Sequence, residues 1–413
     1  MKVQVSQATF RHYLFFWAGQ LASLLGSSIA QFVIIWWITL ETGSALYLSL
    51  ASFLGLAPMV ILAPFAGVFV DRWSRRALIF VADFLQALAT LILVFLFWLG
   101  VIHIWHILIL LTIRGILQAF HSPAVSAIIP LMIPKEKLSR MNGLNYLCSG
   151  AVTLVGPVIG ALLLGIWKIH QILWIDVATF LVAVVPLLMI TIPSVRMKQE
   201  KSSFKGDFFE GFTFIRSAKG LLPLLTLATA LNFLLTPLST LLPYYVKFDH
   251  LGGAPDLALV MAFFEGGILA GGLVMSVMKG FKKKMVAVAL SLYIIFLGYA
   301  LVALTPSMWF WFMAISGTIM AVCVPIANVT LQTILQTVVP IKMQGRVSSV
   351  VMALASAATP LGMILSGTIV EFIRTANLFL GCAIMGVLTV TLSWLFTGVK
   401  HVENVGNLQA LSS

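Results

Sequence analysis

Charge is what this chain most lacks. Asp, Glu, Lys and Arg make up only 9% of its 413 residues, where soluble domains carry about a quarter. So few charges cannot cover a water-facing surface. Cysteine is scarcer still: Cys148, Cys323 and Cys382 all fall inside apolar runs without metal-ligand spacing. They read as small packing residues, and neither a disulfide framework nor a bound metal is expected. No G-x-x-x-x-G-K-[ST] stretch is present, so the chain has no phosphate-cradling loop of its own with which to use ATP. Period-two alternation is also missing from the apolar runs, which argues against a transmembrane barrel.

What fills the chain instead is hydrophobic residue, 61% of the total. A hydrocarbon core of about 30 Å needs about 20 apolar residues per helix. Runs of that length occur at 15–40, 45–70, 77–99, 104–132, 142–164 and 172–192, then at 221–246, 257–278, 285–304, 308–338, 347–370 and 378–397. The expected fold is therefore an all-α membrane protein of 12 transmembrane helices. The polar start leads into a span too long for a signal-peptide core, so the first helix is expected to stay in the mature protein.

A formal charge of +12 would suit nucleic acid, but the basic residues are segregated. With both termini cytoplasmic, the inner loops hold Arg72, Arg75, Arg76, Lys135, Lys137, Arg140, the 196–219 group, Lys282 to Lys284 and Arg346. The outer loops keep only Lys168, Lys247 and Arg374. This is the positive-inside pattern, and it argues for contact with anionic membrane lipid and against nucleic acid.

The longest polar stretch lies near the midpoint and divides the chain. The expected organisation is a six-helix bundle at 1–194, a cytoplasmic linker at 195–220, a second six-helix bundle at 221–400 and a tail at 401–413. Phe208, Phe212 and Ile215 share one face of the linker, which predicts an amphipathic surface helix. The loop Ile133-Pro134-Lys135 through Arg140 has a counterpart, Val339-Pro340-Ile341-Lys342 through Arg346, half a chain later. Two parallel six-span repeats account for that offset and imply alternating access by rocking. Gly266, Gly267, Gly271 and Gly272 form a candidate helix-contact strip or ordinary tight packing.

The segment Gly67-Val68-Phe69-Val70-Asp71-Arg72-Trp73-Ser74-Arg75-Arg76 resembles the major facilitator superfamily loop motif, G-x-x-x-D-R-x-x-R-R. Arg114-Gly115 with Gln118-Ala119 resembles that family's intramembrane arginine motif. Gly156-Pro157-Val158-Ile159-Gly160 resembles its antiporter motif, with Val152 and Ala161 where the family usually has glycine. The stretches from Trp17 to Gln20, Glu41 to Ala45 and Arg114 to Ala124 are similar to the macrolide-efflux branch. The resemblance implies drug export coupled to the proton gradient. It also implies a conformational latch at Gly67, Asp71, Arg72, Arg75 and Arg76, and an antiporter role for Gly156, Pro157 and Gly160.

Four ionisable residues fall inside spans: Asp83, Arg114, Asp176 and Glu265. A charge at the bilayer centre costs about 2.5 to 3.5 kcal/mol on insertion scales, so such residues are functional candidates. Arg114 near mid-depth must pair or line a wet cavity. Glu265 could exchange a proton for a cationic substrate or sit protonated against a carbonyl. Asp83 could meet Arg114, Arg75 or Arg76. These three are the candidates for proton coupling. Asp176 reads as a carboxylate at the outer start of its helix, reaching water. His103, His106, His121 and His170 read as interfacial.

Gln20, Ser23, Ser27 and Gln31, with Thr229, Asn232, Thr236 and Ser239, recur at helical spacing and mark either cavity faces or interhelical hydrogen bonds. Gln20, Ser27, Gln31, Asn232, Thr236 and Phe264 are the substrate-cavity candidates. The four charges sit on four separate spans, so no catalytic constellation, and no enzyme, is expected. No cofactor is expected either; the partners are a small hydrophobic or cationic substrate, protons and membrane lipids, with the chain acting as a monomer. An endogenous compound such as a siderophore or lipid is the alternative cargo.

Overall fold

A computed structural model describes residues 7–190, 204–218, 220–278, 280–340 and 343–402. Among them thirteen α-helices follow one another: α1 (Gln7–Thr42), α2 (Ala45–Arg72), α3 (Arg75–Trp98), α4 (Ile104–Met132), α5 (Lys135–Leu164) and α6 (Ile169–Met189). Then come α7 (Phe204–Ser217), α8 (Leu221–Tyr244), α9 (Ala254–Val277), α10 (Lys284–Ala303), α11 (Phe310–Val338), α12 (Gln344–Val370) and α13 (Thr375–Phe396). Twelve of them, all but α7, are long and apolar enough to cross a bilayer. Helix is what such a chain must form in lipid, because every backbone N–H and C=O has to find its partner within the segment.

Local chemistry sets the breaks. Ser74 Oγ accepts from the Ala77 N–H and starts α3. Asp256 Oδ2 accepts from the Gly253 N–H at 2.8 Å and starts α9. Gly43 follows α1 with φ +56° and Gly100 follows α3 with φ +70°, a region that side chains with a Cβ avoid.

The chain forms two compact units, Met1–Lys198 and Gln199–Ser413. In the first, α1 packs on α5 and α6, α2 on α4, and α3 on α4 and α6. In the second, α8 packs on α12 and α13, α9 on α11, and α10 on α11 and α13. Adding seven to each label of the first set gives the second, so the duplicated loops belong to a duplicated bundle.

Each unit keeps bare apolar stripes outward, such as Leu181, Val185 and Leu188 on α6 and Leu290, Ile294 and Leu297 on α10. Exposed rows of this kind are intolerable in water and suit acyl chains. Small residues bring the helices together. A Cβ on Gly115 would stand 2.5 Å from the Gly55 carbonyl oxygen of α2, and one on Gly267 would stand 2.9 Å from the Thr318 carbonyl oxygen of α11. Gly267 and Gly271 are the buried members of the α9 glycine strip.

The linker helix α7 belongs to the second unit. Ile215 is buried, Phe208 and Phe212 are half-buried, and Gly211 lies against the backbone of Arg346 at the start of α12. The apolar face expected to rest on lipid therefore packs at least in part on protein. Residues 195–203, Lys219 and 403–413 of the linker and tail lie outside the described residues.

Candidate functional site

The first unit buries its charges in two layers. In the first layer, Arg114 Nη1 on α4 donates to Thr90 Oγ1 on α3 at 3.0 Å, and Thr90 donates to Asp176 Oδ2 on α6 at 2.6 Å. Ser27 Oγ on α1 donates to Asp176 Oδ1 at 2.7 Å, and Arg114 reaches Asp176 Oδ2 directly at 3.4 Å. The side chain of Arg114 is 15% exposed and that of Asp176 6%, so this ion pair is largely dry. Four helices are tied at one point, and each charge is matched by a partner it cannot lose cheaply.

The second layer repeats the first seven residues along three of these helices. Gln20 Nε2 on α1 donates to Asp83 Oδ2 on α3 at 3.1 Å. His121 Nε2 on α4 is wholly buried and stands 2.9 Å from Asp83 Oδ1, close enough for an ion pair but out of line for a hydrogen bond. Gln20 and Ser27, Asp83 and Thr90, and Arg114 and His121 are three pairs at the same spacing. Two helical turns separate the layers, about 10 Å of rise. One turn beyond the second layer begins an apolar cluster of Phe16, Ile79, Ala124, Ile128 and Met132, which closes the end of the bundle that carries the basic loops.

These contacts revise three sequence expectations. Asp176 does not stand at a wet helix start: α6 begins at Ile169, which puts Asp176 two turns in and 5% exposed. Asp83 is paired with His121 and Gln20, and Arg114 with Asp176. His121 is no interfacial residue; it lies inside α4, one spacing below Arg114. Sequence reasoning passed over Asp176 and His121 as partners, although the seven-residue recurrence of polar residues in three spans was there to be read.

The remaining candidates fall as follows. Gly156, Pro157 and Gly160 are buried on α5 facing α1; a Cβ on Gly156 would meet the Ser28 Cβ at 2.6 Å, and one on Gly160 would meet the Phe32 ring at 2.9 Å. Arg76 donates to the Leu188 carbonyl in the last turn of α6. Arg75 is half-buried at the start of α3. The side chains of Asp71 and Arg72, and the surroundings of Gly67, lie outside the described residues.

In the second unit, Glu265 is half-buried on α9, between Phe264, whose ring fills the space left by Gly317, and the buried Gly267. Gln31 on α1 and Asn232 on α8 are exposed; the Asn232 amide donates to the Ala228 carbonyl at 3.1 Å. Thr236 is buried, donates to the Asn232 carbonyl at 2.8 Å and packs against Gly362 of α12. Among the described residues no group of three or more His, Cys, Asp and Glu could hold a metal.

Twelve spanning helices in two matched bundles, with paired charges inside, define a polytopic membrane transporter of small molecules. The family model described as Major Facilitator Superfamily matches residues 16–335 and 249–411, and the chain belongs to that superfamily. It is 31% identical over 367 residues to Macrolide efflux protein A of Streptococcus pyogenes, covering 88% of this chain and 90% of that protein. A Staphyloferrin A transporter of Staphylococcus aureus is 25% identical over 268 residues, 62% of this chain and 65% of that one. Among solved structures, the nucleoside transporter NupG superposes with a TM-score of 0.72 at 12% identity, over 93% of this chain and 99% of that one. The last likeness speaks for the fold alone.

Proposed function

We propose that this transporter exports hydrophobic or cationic drugs of the macrolide kind, in exchange for protons entering the cell. The observation that carries this reading is the buried Arg114–Asp176 pair with Thr90 and Ser27, a polar centre held where an unpaired charge is costly. The likeness to a macrolide efflux protein over most of both chains supports the cargo. Alternating access exposes the charged layers in turn. Glu265, Arg114 and Asp83 are the groups assigned to proton coupling, with Asp176 as the fixed partner of Arg114. Gln20, Ser27, Gln31, Asn232, Thr236 and Phe264 remain the residues assigned to the substrate surface. Gly67, Asp71, Arg72, Arg75 and Arg76 form the latch in this reading, and Gly156, Pro157 and Gly160 the flexing point of the antiporter segment. Both termini face the cytoplasm and the working unit is a monomer.

The test is drug accumulation in cells expressing the chain, with and without an uncoupler. Expression should lower the accumulation, and the uncoupler should restore it. Equal accumulation with and without the chain sinks the reading. A second cargo, an endogenous compound such as a siderophore or lipid, draws on the likeness to the Staphyloferrin A transporter. Export of that compound without any protection against macrolides would select it.

A further inference from the structure

We propose that His121, paired with Asp83, is the inner proton carrier of this transporter, joined to the Arg114–Asp176 centre by a polar seam through the first unit. The inference rests on the proton-driven reading above and adds a residue and a route to it. Its geometry is the seven-residue register of the two layers. Between them, on the same three helices and at helical spacing, lie Ser23 on α1, Gln86 on α3 and Gln118 on α4, all half-buried. The Gln118 amide donates to Ser122 Oγ at 3.0 Å. Polar groups so placed can hold hydrogen-bonded water across the gap of about 10 Å that no single transfer bridges. Below the second layer the apolar cluster around Phe16 and Ile128 ends the seam, so the proton has to stop at Asp83 and His121.

Histidine suits that stop because its ordinary charge change falls between about pH 5 and 8. A proton that reaches the seam forms a bond to the unprotonated ring nitrogen of neutral His121. The resulting imidazolium then faces the Asp83 carboxylate, and the charge it gains is matched at once. When the second layer opens to the cytoplasm, the N–H bond breaks, the proton passes to water, and imidazole is restored; nothing is oxidised or reduced.

Few other charges bear on the pair. On α3 the ionisable residues are Asp83 itself and Arg75 and Arg76 at the helix start; on α1 there is none between Tyr13 and Glu41. Along α2 there is none between Tyr47 and Asp71, and α5 brings Tyr146 and Cys148 at that depth. On α4 itself the neighbour is Arg114, two turns away.

The experiment is a nitrogen NMR titration of the purified full chain, labelled at its 7 histidines. The signal absent from His121→Gln identifies the residue. Replacing Asp83→Asn should change how that signal responds to pH, since the carboxylate stands 2.9 Å from the ring nitrogen. An unchanged response overturns the proposal. In proteoliposomes under an imposed pH gradient, His121→Gln should lose drug export at least about tenfold, in keeping with the removal of a proton-transfer group. Export with the parent rate and pH dependence overturns it as well. Should the parent itself move no drug under the gradient, the exporter reading falls, and the titration still decides the pair.

Discussion

Arg114 and Asp176 meet 62 residues apart in sequence, 3.4 Å apart in space, at the crossing of α4 and α6. Thr90 completes the triangle by accepting from one and donating to the other. Stripping one charge from such a pair leaves the other buried and uncompensated, at about 3 to 5 kcal/mol. Arg114→Leu and Asp176→Asn should each depress the unfolding temperature in detergent strongly. The double substitution should unfold at a higher temperature than either single one, because no orphan charge remains. It should also export nothing, since the centre assigned to coupling is gone. A double variant no more stable than the worse single one would mean that the two residues act separately.

Glu265 should divide coupling from binding. Glu265→Gln keeps the shape of the side chain beside Phe264 and Gly267 but cannot release a proton. Proton-driven drug export should fall to background, while drug binding by the purified protein stays within about threefold, as a lost ionic contact at a half-buried site costs less than about 1 kcal/mol. Undiminished export in the variant removes Glu265 from the mechanism.

The spans, their number and the repeat were open to inspection because each follows from local composition: an apolar run of sufficient length must be a helix in lipid. The partners within the bundle were not. Whether Asp83 meets Arg114 or His121 depends on rotation and depth of α3 against α4, and a shift of three residues in the start of α6 was enough to turn buried Asp176 into an expected surface carboxylate. The linker shows the same limit. The common face of Phe208, Phe212 and Ile215 was legible, but not that the helix would pack in part against α12.

That linker helix allows a contrast of magnitudes. Glu210 and Arg346 form an ion pair at 2.6 Å, yet their side chains are 53% and 37% exposed. Such pairs contribute about 0.2 to 1 kcal/mol. Ile215 on the same helix is 1% exposed, and truncation of such a residue to Ala costs about 2 to 5 kcal/mol. Ile215→Ala should lower the unfolding temperature well beyond Glu210→Gln, and limited proteolysis near residue 204 should accelerate only in the former. Equal effects would assign the docking to charge.

The close approach of α5 to α1 at Gly156 is testable by size. Gly156→Val would drive its side chain into Ser28, whose Cβ lies 2.6 Å from where the new Cβ must stand. Overpacking of this order costs about 1 to 3 kcal/mol. Ser28→Gly in the same chain should restore part of the stability by making room on α1. If Gly156→Val is as stable as the parent, the two helices separate there more easily than their packing implies.

Near the far end of the second unit from its basic loop, His250 follows the π-helical turn Tyr245–Asp249 beyond α8 and is 3% exposed, with its ring edge-on to Tyr245 at 4.5 Å. Burial, opposed by the Asp249 carboxylate and the Pro306 carbonyl, holds its pKa below the ordinary 6.5. The unfolded chain therefore binds a proton at this residue that the folded chain resists. The stability it contributes is complete above the unfolded value and falls as the pH drops below 6.5, until the folded value is passed. His250→Phe keeps the aromatic contact with Tyr245 and cannot titrate. Unfolding temperatures measured from about pH 8 down to about pH 5 should therefore fall less steeply for His250→Phe than for the parent. Parallel curves would show that the ring takes up its proton in the fold as easily as in the open chain.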